Sequence, residues 1–193
     1  MSDETDSVMI VAKLMAVSAR TAPKAKGSDV ISVRIASGKE LIALAESMKT
    51  FGERNSLGFF IRDAKCVEKC DCCVLIGALA DAGLGLNCGG CGFSTCKDLS
   101  FAQNKNKGTN SAFFGPNCII RQADLGIAVG SAAKTASMHN VDNRIMFSAG
   151  VGALKLGWLG ECSVAYAIPL SASGKSIFFD RSVHDTKASG TVR

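Results

Sequence analysis

Three cysteines packed into nine residues constrain this chain more than any other feature. Asn87-Cys88-Gly89-Gly90-Cys91-Gly92-Phe93-Ser94-Thr95-Cys96 has Cys-x2-Cys-x4-Cys spacing, and Cys118 follows after twenty-one residues, inside Gly115-Pro116-Asn117-Cys118. Three thiolates that converge on one small inorganic centre from a short stretch force the backbone to wrap around it. Gly89, Gly90 and Gly92 permit the positive φ angles that such wrapping needs. They also let backbone N–H groups face the sulfurs, which offsets negative charge and tunes a redox potential. A fourth thiolate can then come from a remote loop, with the polar stretch Gln103–Asn110 as an exposed connection.

These spacings favour an iron–sulfur centre held by Cys88, Cys91, Cys96 and Cys118. Four thiolates suit [4Fe–4S] or [2Fe–2S]; with one ligand lost, [3Fe–4S] remains. A zinc site prefers two matched Cys-x2-Cys knuckles, and only one is present. A dithiol redox motif leaves Cys96 and Cys118 without a role. Zinc and unliganded thiols stay open as alternatives.

Nine cysteines, an odd number, read as ligands and core residues rather than disulfides, provided the chain works in a reducing compartment. The acidic start MSDETDS is the wrong beginning for a secretory signal, and no run of eighteen apolar residues exists. The expectation is a cytoplasmic protein with no membrane span. The charge of +5 is spread along the chain, with Lys105-Asn106-Lys107 the densest cluster, so nucleic-acid binding is not expected.

The organisation reads as one domain over residues 1–193, with the cluster segment, 86–118, inside it. Apolar periodicity predicts helices over 8–20, 39–50 and 122–138, a partly helical stretch over 59–69, and a second late helix over 143–156, with Gly150 and Gly152 as points of interruption. Alternating or continuous apolar runs predict strands over 29–35, 72–77 and 162–170, with 176–179 as an extension. Gly126 and Gly130, four apart, would let another backbone approach closely. The class is α+β: a central sheet flanked by helices, with an inserted iron–sulfur loop.

Cys66, Cys70, Cys72 and Cys73 form a second group, but a strand points Cys72 and Cys73 to opposite faces, so they read as core. Cys162, within the last strand, reads the same way. Ser173-Gly174-Lys175-Ser176 ends like a phosphate loop, yet Pro169 stands where its first glycine belongs, and nucleotide hydrolysis is rejected. His139 falls at a helix end and His184 in a polar tail, and neither has a nucleophile or carboxylate pattern beside it.

The cysteine segment resembles the four-cysteine [4Fe–4S] segment of corrinoid iron–sulfur proteins and of the electron-input subunit of ion-pumping ferredoxin:NAD oxidoreductases. In those the fourth cysteine lies somewhat closer. Nearly the whole chain is similar to the uncharacterised prokaryotic family described as "ferredoxin domain-containing". The resemblance rests on residues 19–27, the cluster segment, Gly115-Pro116-Asn117-Cys118, Asp124-Leu125-Gly126-Ile127-Ala128-Val129-Gly130-Ser131 and Pro169–Lys175.

The order helix, basic turn, strand, helix, strand, small-residue helix, helix, strand also resembles that of FMN-dependent nitroreductases. That resemblance implies a flavin phosphate near Arg20, Thr21 and Lys24, with Lys175 as a second cation, and a homodimer completing the flavin site. The leading expectation is an iron–sulfur electron-transfer protein with an unidentified redox partner protein, in a homo-oligomer. An FMN-dependent iron–sulfur oxidoreductase and a structural metal-binding module are its alternatives, so an enzyme is one possibility among three.

Overall fold

The computed structural model describes residues 2–81, 83–105 and 111–179. The first helix, α1 (Asp3–Thr21), starts five residues before its apolar periodicity because the signal there is polar. Ser2 caps it, its hydroxyl accepting the Thr5 N–H at 3.3 Å, and Asp3, Glu4 and Asp6 sit where the helix dipole is positive. Pro23, two residues past the end, prevents continuation. A single 3-10 turn over Ala25–Gly27 leads into β1 (Ile31–Ser37).

Gly38, with φ of 56°, turns the chain into α2 (Lys39–Arg54). The stretch expected to be partly helical is helical throughout as α3 (Gly58–Lys69), with Phe60, Ala64 and Val67 inward. β2 (Cys72–Ala78) is buried at every position. A helix unforeseen in the sequence, α4 (Cys96–Lys105), begins at the third cysteine of the segment. It takes in Gln103–Lys105 of the expected connection; residues 106–110, and with them Lys107, lie outside the described residues.

The small-residue helix α5 (Ile119–Met138) begins at Cys118, its N-cap. The expected helix over 143–156 is shorter. Asp142–Asn143 form β3, Met146 is bridged to Ala167 across the sheet, and α6 (Phe147–Lys155) runs unbroken through Gly150 and Gly152. Those glycines serve packing. A Cβ at Gly150 would lie 2.2 Å from the Ala165 carbonyl oxygen, and one at Gly152 would lie 2.8 Å from Met48 Cγ. The last strand, β4 (Val164–Ser171), starts after Cys162, which is buried in the loop before it. Residues 177–179 form a turn rather than a strand extension.

The strands form one antiparallel sheet in the order β1-β2-β4-β3. Helices α1 and α5 cover one face, packing on Cys72, Val74 and Ile76 of β2; α2, α3 and α6 cover the other, on Cys73 and Leu75. Cys72 and Cys73 thus face opposite layers, as their adjacency in a strand requires. Each fully buried Leu44, Met48 or Phe60 contributes about 1.5–3 kcal/mol of burial free energy. Asp63, buried between α3 and α6, is partnered: Ser148 Oγ donates to its Oδ2 at 2.7 Å, and Arg62 Nη2 lies 2.9 Å from its Oδ1.

Among the described residues, Gly126 and Gly130 admit no neighbour. Both lie on the outer side of α5, where a Cβ would meet nothing within 4 Å. Among the described residues, no helix is long and apolar enough to cross a membrane.

Candidate functional site

Two segments meet beside the start of α5: the basic turn after α1 and the cysteine segment after β2. Arg121 and Asp124, both buried on the first turns of α5, hold the basic turn in place. Arg121 donates to the Ser28 carbonyl at 2.9 Å and to its hydroxyl at 3.1 Å, while Asp124 Oδ1 accepts the Ala25 N–H at 2.9 Å. Neither anchor was anticipated from sequence; the buried carboxylate and guanidinium three residues apart, Arg121 and Asp124, are its only trace there.

The turn spends much of its polarity on itself. Arg20, its side chain 48% exposed, donates to Asp29 Oδ2 and to the Ile31 carbonyl, each at 2.5 Å. Although desolvation pushes it upward, the Ile31 N–H and the Arg20 guanidinium hold the Asp29 carboxyl below its ordinary value. Lys24 folds inward, only 5% exposed, and caps the end of α1 by donating to the carbonyls of Ala19, Arg20 and Ala22. The Thr21 hydroxyl returns to the Val17 carbonyl at 3.0 Å. Of the expected cations here, Arg20 alone keeps a largely outward position.

Lys175 stands elsewhere. It follows β4 in a loop whose Ala172 N–H donates to Asp71 Oδ2, and Asp71 Oδ1 in turn accepts the Thr5 hydroxyl near the opposite end of α1. Fifteen residues of helix separate Thr5 from Arg20, roughly 22 Å at the rise of an α-helix. One chain therefore does not join Lys175 to Arg20 in a single phosphate cradle.

The cysteine segment wraps partly as expected. Gly89 and Gly92 take φ of 72° and 85°, joined by Gly85 at 71° and Asn87 at 48°. Gly90 is needed for a different reason, since a Cβ there would lie 2.9 Å from Ile119 Cγ2. That contact sets the segment against the residue after Cys118. Cys118 is buried, and its N–H donates to the Ala80 carbonyl at 2.9 Å. Asn117 Oδ1, accepting from Ser163 Oγ at 2.7 Å and Gln103 Nε2 at 3.1 Å, holds the loop before it.

Cys96 has the most developed surroundings. Its own N–H donates to Asn87 Oδ1 at 2.8 Å. The backbone N–H of Asn87 lowers its thiol from the ordinary value against a desolvation push upward, assisted by the N–H groups of Gly85 and Leu86 and the charge of Lys26. Lys26 also donates to the Leu84 carbonyl at 3.0 Å, tying the basic turn to this segment. The role of Lys26 was missed because nothing in the sequence says that residues 58 apart are neighbours.

The expected four-thiolate site is not assembled. Cys88 is exposed, Cys91 and Cys96 half-buried and Cys118 buried, and among the described residues no three His, Cys, Asp or Glu side chains are placed to hold a metal ion. Cys118 lies at the N-cap position of α5 without a capping hydrogen bond from its thiol, and Cys88 lies on the exposed outer loop. The second cysteine group behaves as core. Desolvation pushes the Cys72 thiol up to about 12 and the Cys70 and Cys73 thiols well above their ordinary value.

The architecture is that of a nitroreductase-like α+β protein. A nitroreductase with bound FMN from Desulfitobacterium hafniense superposes with a TM-score of 0.54 over 100% of both chains at 13% identity. A BluB-like flavoprotein from Clostridium difficile superposes with a TM-score of 0.53, at 14% identity, over 96% of this chain and 88% of that one.

Residues 114–181 match the family described as "Uncharacterized protein containing a ferredoxin domain (DUF2148)". A protein of Archaeoglobus fulgidus is 45% identical over 178 residues, covering 92% of this chain and 94% of its own. The chain belongs to this ferredoxin-domain-containing family.

Proposed function

We propose that this chain is a flavin-dependent oxidoreductase that binds FMN beside the turn over residues 20–28. The supporting observation is the full-length likeness to an FMN-bound nitroreductase, with a basic turn following the first helix. Arg20 and Lys26 are the exposed cations of that turn, and anchoring by Arg121 and Asp124 keeps the backbone there in a fixed shape. Lys24 contributes indirectly, by holding the end of α1. A bound flavin supplies the electron-accepting group; the chain's residues bind its phosphate and orient it.

This reading is tested by acid release of flavin from the purified protein and by titration of the flavin-free protein with FMN. One flavin per chain, with binding lost in Arg20→Ala, is expected. No flavin on purification and no binding of added FMN overturns it.

A second reading, favoured by the N–H groups around Cys96, is that the same protein holds an iron–sulfur centre through Cys88, Cys91, Cys96 and Cys118. Backbone N–H groups beside a thiolate suit a cluster ligand. The thiols would have to draw together on metal binding, which the glycines of residues 89–92 allow. Iron and sulfide analysis after anaerobic purification tests it, and iron at background level defeats it.

A further inference from the structure

We propose that a cavity of about 210 Å³ between α4 and the loop before β4 binds a small aliphatic amine through its protonated primary ammonium. None of its lining residues belongs to the turn over residues 20–28 or to the four candidate cysteine ligands, so it stands whether or not flavin or iron binds.

The end of the central strand builds the cavity. β2 stops at Ala78, whose carbonyl accepts the Ser163 N–H at 3.0 Å, and Ser163 Oγ accepts the Ala80 N–H at 3.2 Å. Asp81 follows directly, its carbonyl accepting from Ser100 Oγ of α4 at 3.2 Å. On the facing side Gly157 and Gly160, with φ of 69° and 60°, turn the chain so that Glu161 and Cys162 line the same space. Phe114 adds an apolar wall.

The chemistry left open there is of one kind. Among the described residues neither Asp81 nor Glu161 forms an ion pair, and no Lys or Arg lines the cavity. Two unpaired carboxylates on one concave surface, in a chain of net charge +5, focus a local negative potential. Gln103 is a separate sign of a ligand. It is 3% exposed, and its Nε2 is spent on the Pro116 carbonyl at 2.9 Å and on Asn117 Oδ1 at 3.1 Å. Its Oε1 has no partner among the described residues yet is not sealed in the core, so this buried acceptor opens to the cavity it lines. A buried acceptor of that kind calls for a donor.

The other polar side chains are committed. Ser163 Oγ donates to Asn117 Oδ1 at 2.7 Å, and desolvation, with the charge of Asp81 adding to it, pushes the Cys162 thiol up and keeps it neutral. Three acceptors therefore remain, two of them charged. A primary ammonium brings three donors, one positive charge and no acceptor. An anion would meet the carboxylates, and no three His, Cys, Asp or Glu side chains among the described residues are placed to hold a metal ion. The volume is below the about 300–1,000 Å³ of pockets for larger ligands, which leaves room for a chain of a few carbons against Phe114.

Titration calorimetry of the full chain with n-butylammonium chloride, at neutral pH and constant ionic strength, should show saturable binding with Kd of about 1 mM or tighter. Glu161→Gln, at an exposed position, and Asp81→Asn should each leave the circular dichroism spectrum unchanged and weaken binding by about tenfold or more. Tetramethylammonium has the charge without an N–H, and butyrate has the chain with the opposite charge; neither should bind. No saturable binding of butylammonium up to about 20 mM, equal affinity for tetramethylammonium, wild-type affinity in the folded double variant, or displacement by an equal concentration of magnesium or calcium would each overturn the proposal.

Discussion

The ammonium of Lys26 donates to the carbonyl of Leu84 at 3.0 Å, holding the turn that ends α1 against the segment carrying Cys88, Cys91 and Cys96. This bond couples the two regions on which a redox function would rest. It also places a positive charge close enough to Cys96 to lower its thiol, alongside the N–H groups of Asn87, Gly85 and Leu86.

Lys26→Ala removes that charge and frees the turn from Leu84. In metal-free protein at pH 7 the thiolate fraction of Cys96 should fall, slowing its alkylation by roughly two- to threefold. Mass-spectrometric timing of iodoacetamide labelling at Cys96 measures this. An unchanged rate would leave the backbone N–H groups as the sole cause of the shift.

Cysteine substitutions separate ligand from core. Cys88→Ser, Cys91→Ser, Cys96→Ser or Cys118→Ser should abolish the iron of anaerobically purified protein, if the iron–sulfur reading holds. Cys72→Ala should leave iron at the wild-type level, because that thiol faces the α1 and α5 layer inside the core. Iron measured per chain decides both, and iron loss in Cys72→Ala would make the second cysteine group a metal site.

Buried thiols impose an alkaline limit on stability. In the unfolded chain Cys72 ionises near 9, but burial raises it to about 12 in the folded protein. Above about pH 9 the unfolded chain has lost a proton that the folded chain keeps, so stability falls as pH rises and levels off near 12. The slope approaches about 1.4 kcal/mol per pH unit for one such thiol. Urea unfolding at pH 8, 9 and 10 should show the decline, and Cys72→Ala should reduce it.

Gly150→Ala should destabilise the fold by about 3 kcal/mol or more, because its methyl would meet the β4 backbone at Ala165. Gly58→Ala, at the start of α3 where a Cβ meets nothing, should change stability by less than about 1 kcal/mol. Thermal melts of the two variants provide the comparison. Equal effects would mean that α6 shifts to accommodate the added carbon.

Local pattern made much of this fold readable. The inward rows Val8–Val11–Met15 and Leu41–Leu44–Met48 repeat at helical spacing, and the short unbroken apolar run from Cys72 to Gly77 is the pattern of a strand covered on both faces. What escaped notice was short or polar. α4 presents only Leu99 and Gln103 to the interior, too few to make a period. β3, with two residues, exists only because Ser171 and Leu170 lie opposite it.

The site divides along the same line. Residue type and spacing pointed to Cys88, Cys91, Cys96 and Cys118 as a candidate ligand group and to Arg20, Lys24 and Lys26 as a basic turn. Which of them share a neighbourhood was decided by contacts between residues far apart in the chain. Lys24 turned inward onto carbonyls, Lys175 went to the far end of α1, and Lys26 reached Leu84. Sequence carries periodicity, spacing and chemistry because these are properties of consecutive residues. Side-chain direction and partnership arise only when the helices close over both faces of the sheet, and that closure determined which cations stayed outward and which thiols were sealed away.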